Sequence, residues 1–181
     1  MVAGMADALY DTADALLACA ADALAADERP VCKTYQTHGI PIIFMCCECA
    51  DEDAPEEANG ELSIHFRRLF DAEANSFDEV RRIRPCKGGV TAAQFRLVLA
   101  RCRPTIDEKG EIPPPEELTE HTEDQLRDAE LLWQGLACCG MDIRIDDLSA
   151  DLSDPGNCSV MFVDLTVQVQ IPELPAAAPS P

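Results

Sequence analysis

This chain has little positive charge, few aromatic residues and no long apolar run. Only 14 of its 181 residues are Lys or Arg, against 34 Asp or Glu, for a formal net charge of −20. A surface of that sign repels nucleic acid and anionic membrane, which argues against either as a binding partner. Aromatics make up 5% of the residues and alanine is abundant, so the core is expected to be aliphatic and built partly from small side chains. No stretch approaches the roughly 20 apolar residues of a membrane-spanning helix. The opening "MVAGMADALYDTADALL" lacks a basic region ahead of an apolar one, so no signal peptide is expected. The sequence also lacks the fingerprints G-x-S-x-G, the P-loop and G-x-G-x-x-G, and it has no internal repeat. Its three histidines, His38, His65 and His121, form no H-x-x-x-H pair. No catalytic residue, cofactor or metal is therefore assigned. His65, expected on the exposed polar face of a strand beside Arg67, is the one imidazole that leaves a hydrolase reading open.

What is present reads as one α+β domain over residues 1–171 with a Pro/Ala-rich flexible tail at 172–181. Residues 6–26 carry Leu9, Ala13, Leu16, Ala20 and Leu24 at helical spacing, with the aspartates mostly elsewhere, and Arg29-Pro30 is read as the stop. The β-branched and aromatic run "GIPIIFMC" predicts a strand over residues 42–47. An acidic loop follows, and Asn59-Gly60 is a turn signal. "ELSIHFRRLF" alternates, with Leu62, Ile64 and Phe66 on one face and Ser63, His65 and Arg67 on the other. "TAAQFRLVLARCRP" does the same, with Ala93, Phe95, Leu97 and Leu99 inward and Gln94 and Arg96 outward. A second helix is expected over residues 116–138, with Leu118, Thr122, Gln125, Ala129, Leu132 and Leu136 along one face, acids in its first turns and Gly140 near its end. "SVMFVDLTVQVQI" is the clearest strand of all. The expected architecture is a four-stranded, mainly antiparallel or mixed sheet with two helices on one face, in the order α-β-β-β-α-β.

The ten cysteines frame the chemical question. With no signal peptide, the expectation is synthesis in a reducing cytosol with mostly free, buried thiols. Cys46 and Cys49 have the spacing of half a zinc site, but Cys138 and Cys139 are adjacent and Cys86, Cys102 and Cys158 are scattered, so no second pair completes it. The acids Glu48, Asp51, Glu52 and Asp53 oppose a reactive thiolate at Cys46, Cys47 or Cys49. "DEDAPEE" lacks the glycine and closing glutamate of an EF-hand. Small, soft side chains packing at a strand end is the preferred reading of the cluster. A small cytosolic regulatory module that binds metal through Cys46, Cys47 and Cys49 is the alternative.

Charge is distributed unevenly. Between Arg67 and Arg103 lie nine of the 14 basic residues, among them Arg67, Arg68, Arg81, Arg82, Arg84 and Lys87, against four acids. A basic middle with acidic flanks suits contact between copies of the chain.

The order of "MCCEC", "ELSIHFRRLFDAEANSFDEVRRIRPCKGG", "TAAQFRLVLARCRPTID", a helix and "NCSVMFVDLTVQVQ" resembles small structural proteins encoded among the head and tail genes of actinobacterial long-tailed phages. The element order is similar to that of the tail terminators among them; the head–tail stopper is the neighbouring alternative. That resemblance implies a virion protein without catalysis. Six copies would form a ring at the top of the tail, partnered by the tail-tube protein on one side and the head–tail connector or stopper on the other. DNA would pass through an acidic lumen without specific binding, and no membrane would be involved. Assembly would occur in the bacterial host cytoplasm. The basic residues Arg67, Arg68, Arg81, Arg82, Arg84 and Lys87 would meet the acidic surface of the next copy.

Overall fold

The computed structural model describes residues 4–38, 46, 47, 49, 58–72, 77, 79, 90–106, 110–151 and 158–170. Helix α1 spans Met5–Ala26 and helix α2 spans Pro115–Ala137. The strands are β1 (Lys33–His38), β2 (Glu61–Asp71), β3 (Val90–Cys102), β4 (Ile143–Asp151) and β5 (Cys158–Gln170). They form one sheet in the order β1-β2-β3-β5-β4. The β1–β2 pair is parallel and the others are antiparallel, so among the described residues the class is α+β with a mixed sheet of five strands rather than four.

Each helix begins and ends for local reasons. The backbone N–H of Gly4 donates to Asp7 Oδ2 at 2.8 Å, an acid near the positive end of the α1 dipole. At the other end, the N–H of Arg29 reaches back to the Leu24 carbonyl and that of Glu28 to the Ala25 carbonyl. Those two bonds are a Schellman motif, and they stop α1 before the Arg29-Pro30 step does. The motif demands a left-handed residue, and here that residue is Glu28, at φ 58°. Helix α2 opens with Pro115 in its first turn, followed by Glu116 and Glu117.

The core lies between one sheet face and the helices. Ala13, Leu16, Leu17, Ala20 and Leu24 of α1 and Leu131, Leu132 and Leu136 of α2 join Leu62, Ile64, Phe95, Leu97, Leu99, Val163, Leu165 and Val167 in one cluster. It is leucine-rich, as the scarcity of aromatics implies. The helices approach each other closely at Gly135, where a β-carbon would stand 2.6 Å from Ala23 Cβ and 2.8 Å from the Cys19 carbonyl oxygen. The buried stripe of α2 begins only at Asp128. Leu118, Leu126 and Trp133, expected on or beside the packed face, are exposed.

The predicted strand over 42–47 is corrected in part. Residues 42–45 lie outside the described residues, while Cys46 and Cys47 form a bend, not strand. Two strands escaped the pattern. β1, "KTYQTH", is polar throughout. In β4, "IRIDDLSAD", a bulge between Ile145 and Asp147 breaks the alternation. The tail at 172–181 lies outside the described residues.

The expected free thiols are also corrected. Disulfides join Cys19 to Cys139, Cys32 to Cys49, Cys46 to Cys158 and Cys47 to Cys102. Among the described cysteines only Cys138 is free, and it is exposed; Cys86 lies outside the described residues. Three of the four pairings span 120, 112 and 55 residues, so local spacing carried no trace of them. Two of them meet where β3 and β5 pair in the register that sets Cys102 opposite Cys158, and the third joins α1 to the end of α2. Cys46 and Cys49, read as half a zinc site, take different partners.

Candidate functional surfaces and polar clusters

The basic stretch is divided by the fold. Arg67 is exposed beside the bulge between Phe66 and Arg68 in β2. Arg68 donates to Gln94 Oε1 at 2.6 Å, reaches Glu79 at 3.3 Å and lies over the Phe70 ring. Arg96 makes a bidentate pair with Asp164 at 2.7 and 2.6 Å and stacks on Phe162. That hydrogen-bonded guanidinium holds the Asp164 carboxyl below its ordinary range. Arg67 lines a shallow cavity of about 160 Å³ with Asp146, Asp147 and Asp164. Arg68 and Arg96 therefore spend part of their charge within the protomer, leaving Arg67 as the more open cation at this site. Arg81, Arg82, Arg84 and Lys87 lie outside the described residues.

His65 is not on an exposed face. It is fully buried, and so are Ser63, Val98, Ala100 and Thr166 on the same sheet face, so that face is closed here as the first one is. Simple alternation places His65 off the core face correctly, but it does not reveal that this face too is closed. Its Nε2 is 3.1 Å from Ser63 Oγ and its Nδ1 3.4 Å from Thr37 Oγ1. Glu61, Ser63 and His65 follow at every second residue of β2, so all three share a face. The carboxylate, however, accepts from the Tyr35 hydroxyl at 2.9 Å. Burial, and then that bond, push the Tyr35 phenol above its ordinary value. With the hydroxyl and imidazole closed off from solvent, the group is an internal polar cluster holding β1 to β2.

A second polar cluster joins the sheet to α2. Asp128, 1% exposed, accepts from Arg29 Nε at 2.8 Å and Arg101 Nε at 3.2 Å. Arg101 also donates to the carbonyl oxygens of Arg29, Pro30 and Asn59, so one guanidinium ties three chain segments. Burial lowers the Arg101 pKa against the pull of Asp128, whereas the hydrogen bond to Asp128 raises that of Arg29. Both arginines line a cavity of about 130 Å³ with Asp124, Cys102 and His121. Burial holds the His121 imidazole below its ordinary pKa, and its Nε2 finds no hydrogen-bond partner among the described residues. Sequence reasoning missed this cluster, because Arg29, Arg101 and Asp128 are far apart in the chain and each sits in an ordinary local pattern.

The outer face of α2 is mixed in character. Glu116, Glu117, Glu120, Glu123 and Asp124 are exposed along its first turns. Among and beyond them stand Leu118, Leu126 and Trp133, the last two 67% and 51% exposed. Leu126 and Trp133 are seven residues apart, hence on one side of the helix.

Among the described residues, no group of His, Cys, Asp and Glu is free to hold a metal ion, and no helix is long and apolar enough to cross a membrane. Neither a protein-family model nor a curated protein matches this chain.

Proposed function

We propose that this chain is a structural protein of a long-tailed phage virion: the tail terminator, whose copies close a ring between the head connector and the tail tube. The observation that carries the reading is the exposed ridge of Leu118, Leu126 and Trp133 on an otherwise acidic helix. Large apolar side chains grouped on a charged surface mark a protein contact, and tryptophan is a preferred anchor of such contacts. The next copy of the chain is the occupant we assign to it. The order of elements and the short motifs that resemble phage neck proteins support the same assignment. So do the four disulfides among the described residues, which suit a particle that persists in oxidising surroundings better than a cytosolic regulator. In a ring, the −20 formal charge of each copy would line the assembly with repulsion toward phosphate, favouring passage of DNA over capture.

The test is the native mass of the purified chain, followed by a particle image. A closed oligomer is expected, and Leu126→Glu with Trp133→Glu should reduce it to monomers. The pair Arg81→Glu and Arg82→Glu tests the basic stretch in the same way. A strict monomer carrying a bound small molecule, or a particle whose neck lacks this chain, overturns the reading.

A further inference from the structure

We infer that Cys46, Cys47, Cys102 and Cys158 form, in the reduced chain, a tetrathiolate site for a thiophilic divalent cation, zinc above all. Two disulfides, Cys46–Cys158 and Cys47–Cys102, lie side by side. Their sulfurs are not merely neighbours in sequence: Cys46 Sγ stands 3.6 Å from Cys47 Sγ. Below them Cys102 and Cys158 face each other across the β3–β5 ladder. Four sulfurs thus form one contiguous group, two from a bend and two from paired strands. Zinc–thiolate bonds of about 2.3 Å in a tetrahedron require sulfur–sulfur edges of about 3.8 Å. The Cys46–Cys47 separation already approaches that edge, and breaking the two disulfides frees the other contacts to open to it. Cys46 is buried and Cys47 exposed, with Cys102 and Cys158 between, so the site has both a sheltered floor and a route from solvent.

The remaining disulfides do not belong to the group. Cys49, three residues from Cys46, pairs with Cys32 ahead of β1, and its sulfur contacts the Ala58 carbonyl at 3.0 Å. Cys19 and Cys139 join the two helices. The ligand set therefore differs from the C-x-x-C pair that the sequence suggests.

The chemistry balances as follows. Two molecules of a dithiol reductant deliver four electrons and four protons to the two disulfides. Four thiols form, and each reductant leaves as its own disulfide. One cation then displaces the four thiol protons and binds four thiolates. Two molecules of an oxidised dithiol reverse the sequence: each takes two electrons from a pair of thiolates, picks up two protons and leaves as its dithiol, while the two protein disulfides re-form and the ion is released. A chain made in a reducing compartment would hold the metal there and exchange it for covalent bonds on reaching an oxidising one. The site does not depend on the chain being a virion protein.

The test uses the full chain, reduced without oxygen by a phosphine and titrated with cobalt(II) and then zinc. The expected result is the intense visible absorption of tetrahedral cobalt thiolate, saturating at one equivalent and bleached by equimolar zinc. The unreduced chain should give none. Cys102→Ser should lose or weaken the band, whereas Cys32→Ser with Cys49→Ser should retain it. Should Cys102→Ser fail to fold, alkylation mapping of the zinc-loaded wild-type chain decides. Cys46, Cys47, Cys102 and Cys158 are expected to be protected while Cys32 and Cys49 are labelled. Absence of the cobalt band, protection of another set, or a reduced chain that unfolds and is not refolded by zinc overturns the inference.

Discussion

Removing the Asp128 carboxylate isolates a cation in the seam between α2 and the sheet. The Arg101 side chain is 8% exposed and that of Asp128 2%, so Arg101 reaches water only through the cavity it lines, a partial substitute for the carboxylate. Stripping one member from a buried ion pair costs about 3–5 kcal/mol, because the surviving charge stays desolvated. Arg29 adds little, since its side chain is 22% exposed and keeps Asp124. The carbonyls of Arg29, Pro30 and Asn59 still receive Arg101, which places Asp128→Ala in the lower half of the range, about 3–4 kcal/mol. For a domain of this length each kcal/mol moves Tm by about 2–4 °C, so a fall of about 10 °C is expected. Urea and thermal unfolding of the disulfide-intact chain at neutral pH measure both. Asp124→Ala is the control: its side chain is 51% exposed, and its loss should cost less than about 1 kcal/mol. Replacing Asp128 with Leu and Arg101 with Met together removes the buried charges but leaves three carbonyls without their donor, so it should recover only part of the loss. An Asp128→Ala variant no less stable than Asp124→Ala would refute the reasoning.

Other outcomes follow from the same structure. Gly135→Ala drives a methyl group into Ala23 and the Cys19 carbonyl and should cost about 1–3 kcal/mol in denaturant melts; a neutral result would mean that the helices part easily. Glu28 holds a left-handed φ of 58° at the C-terminus of α1, so Glu28→Gly should stabilise the chain by up to about 1 kcal/mol, and a loss of stability would contradict the strain assigned there. His121 has its pKa lowered below 6.5, first by burial and then by Arg103 and Arg29 against Asp124 and Asp128. The unfolded chain therefore takes up that proton more readily. The histidine's contribution is whole above about pH 6.5 and erodes as pH falls from there toward the folded value. His121→Gln should flatten stability across that window, and an unchanged slope would locate the dependence elsewhere. On the acid side, Asp164 has its pKa lowered by Arg96. The contribution it makes above its ordinary value of 3.8 is lost as pH falls through the folded value, so Asp164→Asn should blunt the acid limb of the stability profile.

The elements that sequence pattern revealed are those whose side chains meet one continuous core. α1, β2, β3 and β5 repeat their apolar residues with the period of the element, and their bounds differ from expectation by only a few residues. β1 was hidden because its core-facing Gln36 satisfies itself through Tyr10 and Asp14 of α1 rather than by burying carbon. β4 was hidden because its bulge shifts the period midway. Helical spacing extends the packed face of α2 too far toward its N-terminus, because it gives a stripe but not the point at which the neighbouring helix begins to cover it. The cysteine pairings depend on strand register and chain crossing, which no local window contains. His65 shows the limit of alternation, since a strand covered on both faces still alternates in polarity.

The disulfides also set how far the chain can be drawn out. Pulled from Gly4 and Gln170, the slack is the 28 residue steps to Cys32, three from Cys49 back to Cys46, and 12 from Cys158 to Gln170. A parallel route through Cys19–Cys139 has 15 steps before the bridge and 31 after it. At about 3.4 Å per step the tether goes taut near ~150 Å, whereas the reduced thread would run to ~560 Å. The two routes are nearly equal in length, so severing either leaves the other to bear the load, and a single broken bond barely lengthens the leash.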